Sequence, residues 1–181
     1  PGLELELHTK LVGECNISNL VAAVIVALYL GMPVEKIKYA VGKIEQVEHR
    51  LNMKRTAGGV TIIDDAFNSN PTGSGMALDV LASMTGGKRI VVTPGMIELG
   101  DRQEYHNRVF GRKIAECADV AIVVGQYNRD AIMDGITQSG RLKPDCVHTV
   151  DSFAQAQKLL AGMLVAGDTV LYENDLPDTF K

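Results

Sequence analysis

Between Val60 and Tyr172 the chain alternates short, branched, apolar runs with segments of helical length. The runs are Val60-Thr61-Ile62-Ile63, Arg89–Thr93, Val120–Val124, Cys146–Val150 and Asp168–Tyr172. Helices are predicted between them, over Pro71–Met84, Gln103–Cys117, a segment from Asn128 to Ser139, and Ser152–Met163, with Asn128 and Asp151 as expected caps. Strands that are continuously apolar are buried on both faces, and strands separated by helices pair in parallel. This pattern excludes a helical bundle and a β-sandwich. It predicts an α/β class: a Rossmann-like, mostly parallel sheet with helices on both faces. Ligands in such sheets bind beyond the carboxyl ends of the strands. That rule singles out the loops Asp64–Gly75, Pro94–Glu104, Gly125–Arg129 and Tyr172–Asp178.

The first fifty residues read differently. Residues 1–11 alternate apolar and polar side chains and predict a strand, although no partner for it follows nearby. A helix is predicted up to about Leu30, capped by Asn16 or Ser18 and stopped by Gly31. It is apolar nearly all round, so burial on most sides is expected. Pro33 suits the first turn of a second helix, Val34 to Lys43. The charged, aperiodic residues 44–58 read as a linker, ended by Gly58-Gly59.

Composition narrows the function. Eighteen basic residues against 22 acidic ones give a net charge of −4, which supplies no broad basic field for nucleic acid or anionic lipid. The longest apolar run, Leu20 to Leu30, is too short to span a bilayer. The three cysteines are far apart and form no C-x-x-C pair, so neither a disulfide framework nor a cysteine zinc site is expected, and a reducing compartment is. The start at Pro1, without Met, reads as a fragment of a longer chain.

Chemistry-bearing residues concentrate in two of the loops. Asp64-Asp65-Ala66-Phe67-Asn68-Ser69-Asn70-Pro71 places two carboxylates and two amides at a strand's carboxyl end. A carboxylate there can accept hydrogen bonds from a ribose diol or reach a metal through water; the same residues also suit a capped turn entering a helix. Thr93-Pro94-Gly95-Met96-Ile97-Glu98-Leu99-Gly100-Asp101 is the second cluster, followed by His106. Arg50, in the linker, can grip a phosphate or ribose or stand solvated. Asn16 and Asn19 offer amides to an adenine edge or to a helix terminus. The sequence holds no G-x-x-x-x-G-K-[ST], no G-x-G-x-x-G, no H-E-x-x-H and no G-x-S-x-G.

Three segments, in order, resemble motifs of the Mur ligase family. Gly13-Glu14-Cys15-Asn16-Ile17-Ser18-Asn19-Leu20-Val21-Ala22-Ala23 resembles G-x-H-N-x-x-N-x-x-A-A, Ile63–Pro71 resembles I-D-D-S-Y-N-A-N-P, and Gly95–Gly100 with His106 resembles G-D-M-x-E-L-G and its downstream His. The resemblance covers nearly the whole chain. It implies that residues 1–50 are the tail of a central ATPase domain, 51–58 a linker, and 59–181 a C-terminal Rossmann-like domain. The N-terminal and most of the central domain, with the P-loop and the Mg²⁺ ligands, would lie outside this sequence. The implied activity is cytoplasmic, ATP-dependent amide-bond formation between a UDP-N-acetylmuramoyl peptide and D-alanyl-D-alanine. By the same resemblance Asn16 contacts adenine, Arg50 the ribose and phosphate side, Asp65 the ribose hydroxyls, and Asn68 and Asn70 line the nucleotide loop. Met96, Glu98, Leu99, Gly100 and His106 face the acceptor.

Three positions depart from the family pattern. Cys15 replaces a histidine, Thr93-Pro94-Gly95-Met96 replaces L-G-D-M, and Tyr172-Glu173-Asn174-Asp175-Leu176-Pro177-Asp178 replaces a basic K-G-S-R-G segment. Alternative readings are another Mur-type enzyme, such as a lipid II amidotransferase subunit, and a non-catalytic nucleotide-binding module.

Overall fold

A computed structural model describes residues 4–175. Two helices come first, α1 (Glu14–Tyr29) and α2 (Val34–Lys43). Strands β1 (Asn52–Arg55) and β2 (Thr61–Asp65) follow, then α3 (Pro71–Ser83), β3 (Arg89–Thr93), α4 (Gln103–Cys117), β4 (Val120–Val124), α5 (Arg129–Ser139), β5 (Val147–Val150), α6 (Phe153–Met163) and β6 (Thr169–Glu173).

The six strands form one sheet in the order β1-β2-β6-β3-β4-β5. Every pairing is parallel except β1 with β2, which is antiparallel. The mostly parallel α/β architecture expected from the apolar runs is therefore present. Its handedness follows from the order. From β2 through β5 the chain steps in one direction, and right-handed crossovers set α3, α4 and α5 on one face. The return from β5 to β6 runs the other way and sets α6 on the opposite face.

Two cores result. Ile63, Val91, Val123 and Leu171 pack under α3–α5 against Leu78, Phe110, Ile114 and Ile132. Ile90, Val92, Ile122 and Val170 pack against Ala156 and Leu160 of α6. Helices α4 and α5 approach very closely through two glycines. A Cβ on Gly111 would stand 2.1 Å from the Ile132 carbonyl oxygen, and one on Gly135 would stand 2.0 Å from that of Arg108.

Several expectations are corrected. Residues 4–10 form no strand among the described residues. Their alternation is instead one-sided packing, in which Leu5 and Leu7 lie against a separate small core of Leu20, Val24, Ile37 and Val41. The stretch read as a linker contains β1, an edge strand whose Lys54 and Arg55 are exposed and whose polar sequence gives no apolar signal. Helix α1 is not buried on most sides. It buries Leu20 and Val24 but leaves Val21, Ile25, Val26 and Tyr29 exposed, because α2 covers only one of its faces. Neither Asn16 nor Ser18 caps it; Gly13 holds the N-cap position, without a side-chain hydrogen bond. Pro33 is the N-cap residue of α2 and so precedes its first turn. Ser152, not Asp151, caps α6.

Candidate functional site

The loops after β2, β6 and β3 converge because those three strands are neighbours. Parallel registry sets Asp64 beside Tyr172 and Asp65 beside Glu173. Alternation then sorts the four side chains. Asp65 and Glu173 point to the face of Ile63 and Leu171, under α3–α5. Asp64 and Tyr172 point to the other.

On the first face the polar groups interlock, Glu173 and Asn174 buried, Asp65 and Ser69 half-buried. Asp65 Oδ1 accepts the Leu51 N–H at 3.0 Å. Glu173 is 1% exposed, and its Oε1 accepts the Ser69 hydroxyl at 2.5 Å. Burial pushes the Glu173 carboxyl well above the ordinary carboxylate range, and the neighbouring Asp65 pushes it further. Asp65 is also raised, by burial first, with the Leu51 N–H acting against it. Asn174 bridges two loops: its Oδ1 accepts the Ser69 N–H at 3.2 Å, and its Nδ2 donates to the Gly95 carbonyl at 2.6 Å.

The β3 loop rests on buried amides. Asn107, fully buried on α4, accepts the Met96 N–H at 2.9 Å and donates to the Met96 carbonyl at 2.9 Å. Asn128 Nδ2 donates to the Pro94 carbonyl at 3.0 Å, and its Oδ1 accepts from Gln103 at 3.1 Å. Asn128 thus ties two loops together and makes no side-chain cap to α5, contrary to the sequence reading. Gly95 is required by contact as well as by its φ of +79°: a Cβ there would lie 2.5 Å from Asn107 Oδ1.

The opposite face is more open. Asp64 accepts from, or pairs with, His49 Nδ1 at 2.9 Å. The Arg50 guanidinium lies over the exposed Phe67 ring, 4.7 Å from its centroid, and the Phe67 N–H donates to the His49 carbonyl at 3.3 Å.

Among the described residues, five other than glycine have positive φ: His49, Leu51, Asn68, Glu98 and Asn174. Such a conformation costs of order 1–3 kcal/mol and persists only where the surroundings impose it. All five border this crevice or the segment entering β1. Backbone strain is thus concentrated where the loops meet.

The predicted site residues separate into groups. Arg50, Asp65 and Asn68 are brought to the crevice. Asn70 caps α3, its Oδ1 accepting the Thr72 and Gly73 N–H groups at 3.1 and 2.9 Å. It also lines a groove of about 390 Å³ with Cys15, Ser18, Asn19, Thr72 and Gly73, joining the α3 entry to the first turns of α1. Asn16 does not line that groove; its Nδ2 donates to the Val12 carbonyl at 2.8 Å. Glu98 and Gly100 are exposed, Leu99 packs on the core, and His106 stacks edge-on with Tyr105 at 5.3 Å. Met96 does not face outward: its side chain is 1% exposed in the core. Of the carboxyl-terminal loop, residues 176–178 lie outside the described residues. Among the described residues no group of three or more His, Cys, Asp or Glu is placed to hold a metal ion.

Glu173, Asn174, Asn107 and Asn128 were not among the candidates. Two of them carry a readable signal. Glu173 stands two residues after Leu171, in phase with the buried face of β6. Asn107 stands three, four and seven residues before Phe110, Gly111 and Ile114, in phase with the buried face of α4.

Comparison with known proteins agrees with this architecture. Residues 49–172 match the family described as Mur ligase, glutamate ligase domain. The chain is 31% identical over 184 residues to the UDP-N-acetylmuramoyl-tripeptide–D-alanyl-D-alanine ligase of Mycobacterium leprae, covering 92% of the chain and 35% of that protein. It is 30% identical over 176 residues to the UDP-N-acetylmuramate–L-alanine ligase of Saccharopolyspora erythraea, covering 94% and 35%. Among solved structures, MurF from Acinetobacter baumannii superposes with a TM-score of 0.77 at 27% identity, over 93% of this chain and 36% of that one. The chain therefore spans about a third of the length of these relatives. With the matched profile covering most of its length, the chain belongs to the Mur ligase family and carries that family's C-terminal domain.

Proposed function

We propose that the chain is the C-terminal part of an ATP-dependent ligase that joins D-alanyl-D-alanine to a UDP-N-acetylmuramoyl peptide, in the cytoplasm, during peptidoglycan synthesis. The observation that carries this reading is the crevice at the ends of β2, β6 and β3, where the Asp64–Pro71 motif and five strained residues converge. The D-alanyl-D-alanine-adding ligases among the chain's relatives support the choice of acceptor. Residues 1–50 are proposed as the tail of the preceding ATP-binding domain. That assignment accounts for a helix with one face uncovered and for an extended segment that pairs with no strand among the described residues.

The donor set suits a nucleotide. Asp65 is a carboxylate for ribose hydroxyls, and Arg50 an exposed guanidinium for the phosphate side. Asn68 and Asn70 belong to the same loop, and Asn16, whose Nδ2 is held by the Val12 carbonyl, keeps its Oδ1 for an adenine edge. Glu98, Leu99, Gly100 and His106 border the acceptor side. ATP supplies the phosphoryl group that turns a carboxylate into an acyl donor, and Mg²⁺, held by residues outside this sequence, offsets its charge. The work of these residues is to bind, orient and exclude water while the acceptor amine approaches.

In the full-length protein, Asp65→Asn keeps an oxygen for the Leu51 N–H but loses charge-assisted bonds to ribose. It is expected to raise KM for ATP roughly tenfold, about 1.4 kcal/mol. An unchanged KM removes Asp65 from the nucleotide site. The relatives also include an L-alanine-adding ligase. Parallel assays with D-alanyl-D-alanine and L-alanine decide the acceptor.

A further inference from the structure

Glu173 poses a structural problem. It is almost wholly buried, it is the registry partner of Asp65 on the same face, and its Oε1 already accepts from Ser69. Its Oε2 is buried with no partner when both groups are counted as carboxylates. A buried anion with an orphaned oxygen, set beside a second, half-buried one, is strongly disfavoured. Among the described residues no cation acts on Glu173; Arg50, which acts on Asp65, is exposed. A single proton resolves all of this. Carried on Glu173, it converts the orphaned acceptor into a donor toward Asp65, and the two side chains are within hydrogen-bonding reach of each other.

We propose that Glu173 is held as the neutral acid and donates to Asp65, so that it is a positioning residue for the nucleotide-facing carboxylate and, through it, for Leu51. The chain of contacts runs Ser69 hydroxyl to Glu173, Glu173 to Asp65, and Asp65 to the Leu51 N–H. Leu51 has a φ of +48° and a side chain in the core. Its amide is the first fixed point after the exposed segment His49-Arg50. Fixing Asp65 therefore also fixes the backbone next to Arg50. The link to catalysis rests on the assignment of Asp65 to ribose; the shared proton does not.

The test uses the full-length protein with ¹³C-labelled glutamate. Infrared spectroscopy at neutral pH is expected to show a protonated carboxylic acid band that Glu173→Gln removes. Absence of that band overturns the proposal. Hydrogen exchange then tests positioning. Glu173→Leu is expected to speed exchange of the Leu51 amide about tenfold or more, because Asp65 loses its donor. Glu173→Gln is expected to hold exchange near wild type, since an amide supplies both the donor to Asp65 and the acceptor for Ser69. Equal exchange in Glu173→Leu and wild type overturns the positioning role. Neither readout involves ATP. If Asp65→Asn leaves KM unchanged while band and exchange behave as expected, the ribose assignment falls and the proton bridge stands.

Discussion

Glu173 and Asp65 show how one side chain can set the protonation of another. The groups acting on the pair are Ser69 on Glu173, and the Leu51 N–H, Arg50 and Asp64 on Asp65. Burial outweighs them, so the folded pair keeps a proton that the unfolded chain releases near the ordinary glutamate value of 4.5. Stability follows from the difference in protons bound. It is fully present below pH 4.5 and is lost as the pH rises from there through the folded pKa, because over that range the unfolded chain has released a proton that the native state still holds. Glu173→Gln is expected to flatten that decline, measured as Tm against pH. A wild-type slope in the variant excludes Glu173 as its source. The Asp64–Pro71 cluster was legible in the sequence because its polar residues follow directly on an apolar strand. Glu173 was legible as a departure from a basic pattern and by its phase with Leu171, but its pairing with Asp65 was not. That pairing depends on β6 lying between β2 and β3, which local periodicity does not encode.

Helices α4 and α5 are the element pair most sensitive to a single atom. Gly111 and Gly135 each face the other helix's backbone, so a side chain at either can be accommodated only by moving one helix off the other. Gly111→Ala is expected to destabilise the fold by about 3 kcal/mol through overpacking. The check is the urea midpoint, and a loss under 0.5 kcal/mol, within the range of ordinary surface changes, overturns the close-packing account. Because α4 carries Asn107 and α5 begins beside Asn128, the same change is expected to loosen the β3 loop. Most helices and strands were readable because their burial pattern is local. The boundaries of α4 and α5 follow from periodicity and from the stop at Gly140. Strand β1 was not readable, because Asn52-Met53-Lys54-Arg55 is polar and its pairing with β2 supplies the order. The extended segment at residues 4–10 misled for the opposite reason: alternation reports a buried side, not a hydrogen-bonded neighbour.

For the whole molecule, the decisive fact is that the chain spans about a third of its relatives and contains no P-loop sequence. Alone, with Mg²⁺, ATP and both proposed substrates, it is expected to release no phosphate above background in a coupled assay; measurable release overturns the assignment of the phosphoryl-transfer groups to other parts of the protein. The exposed side of α1, with Val21, Ile25 and Tyr29, belongs to the same scale, since no element of the described residues covers it. The place of β6 has a further consequence, for the order in which the molecule is made. The strand synthesised last among the six sits between two synthesised much earlier. Until it emerges, the β1–β2 hairpin and the β3–β4–β5 ribbon are separate pieces with unpaired edges, a state open to aggregation. The final strand both joins them and delivers Glu173. A growing chain can hold much of its secondary structure early, yet the acid bridge beside the crevice forms only with the last sheet pairing.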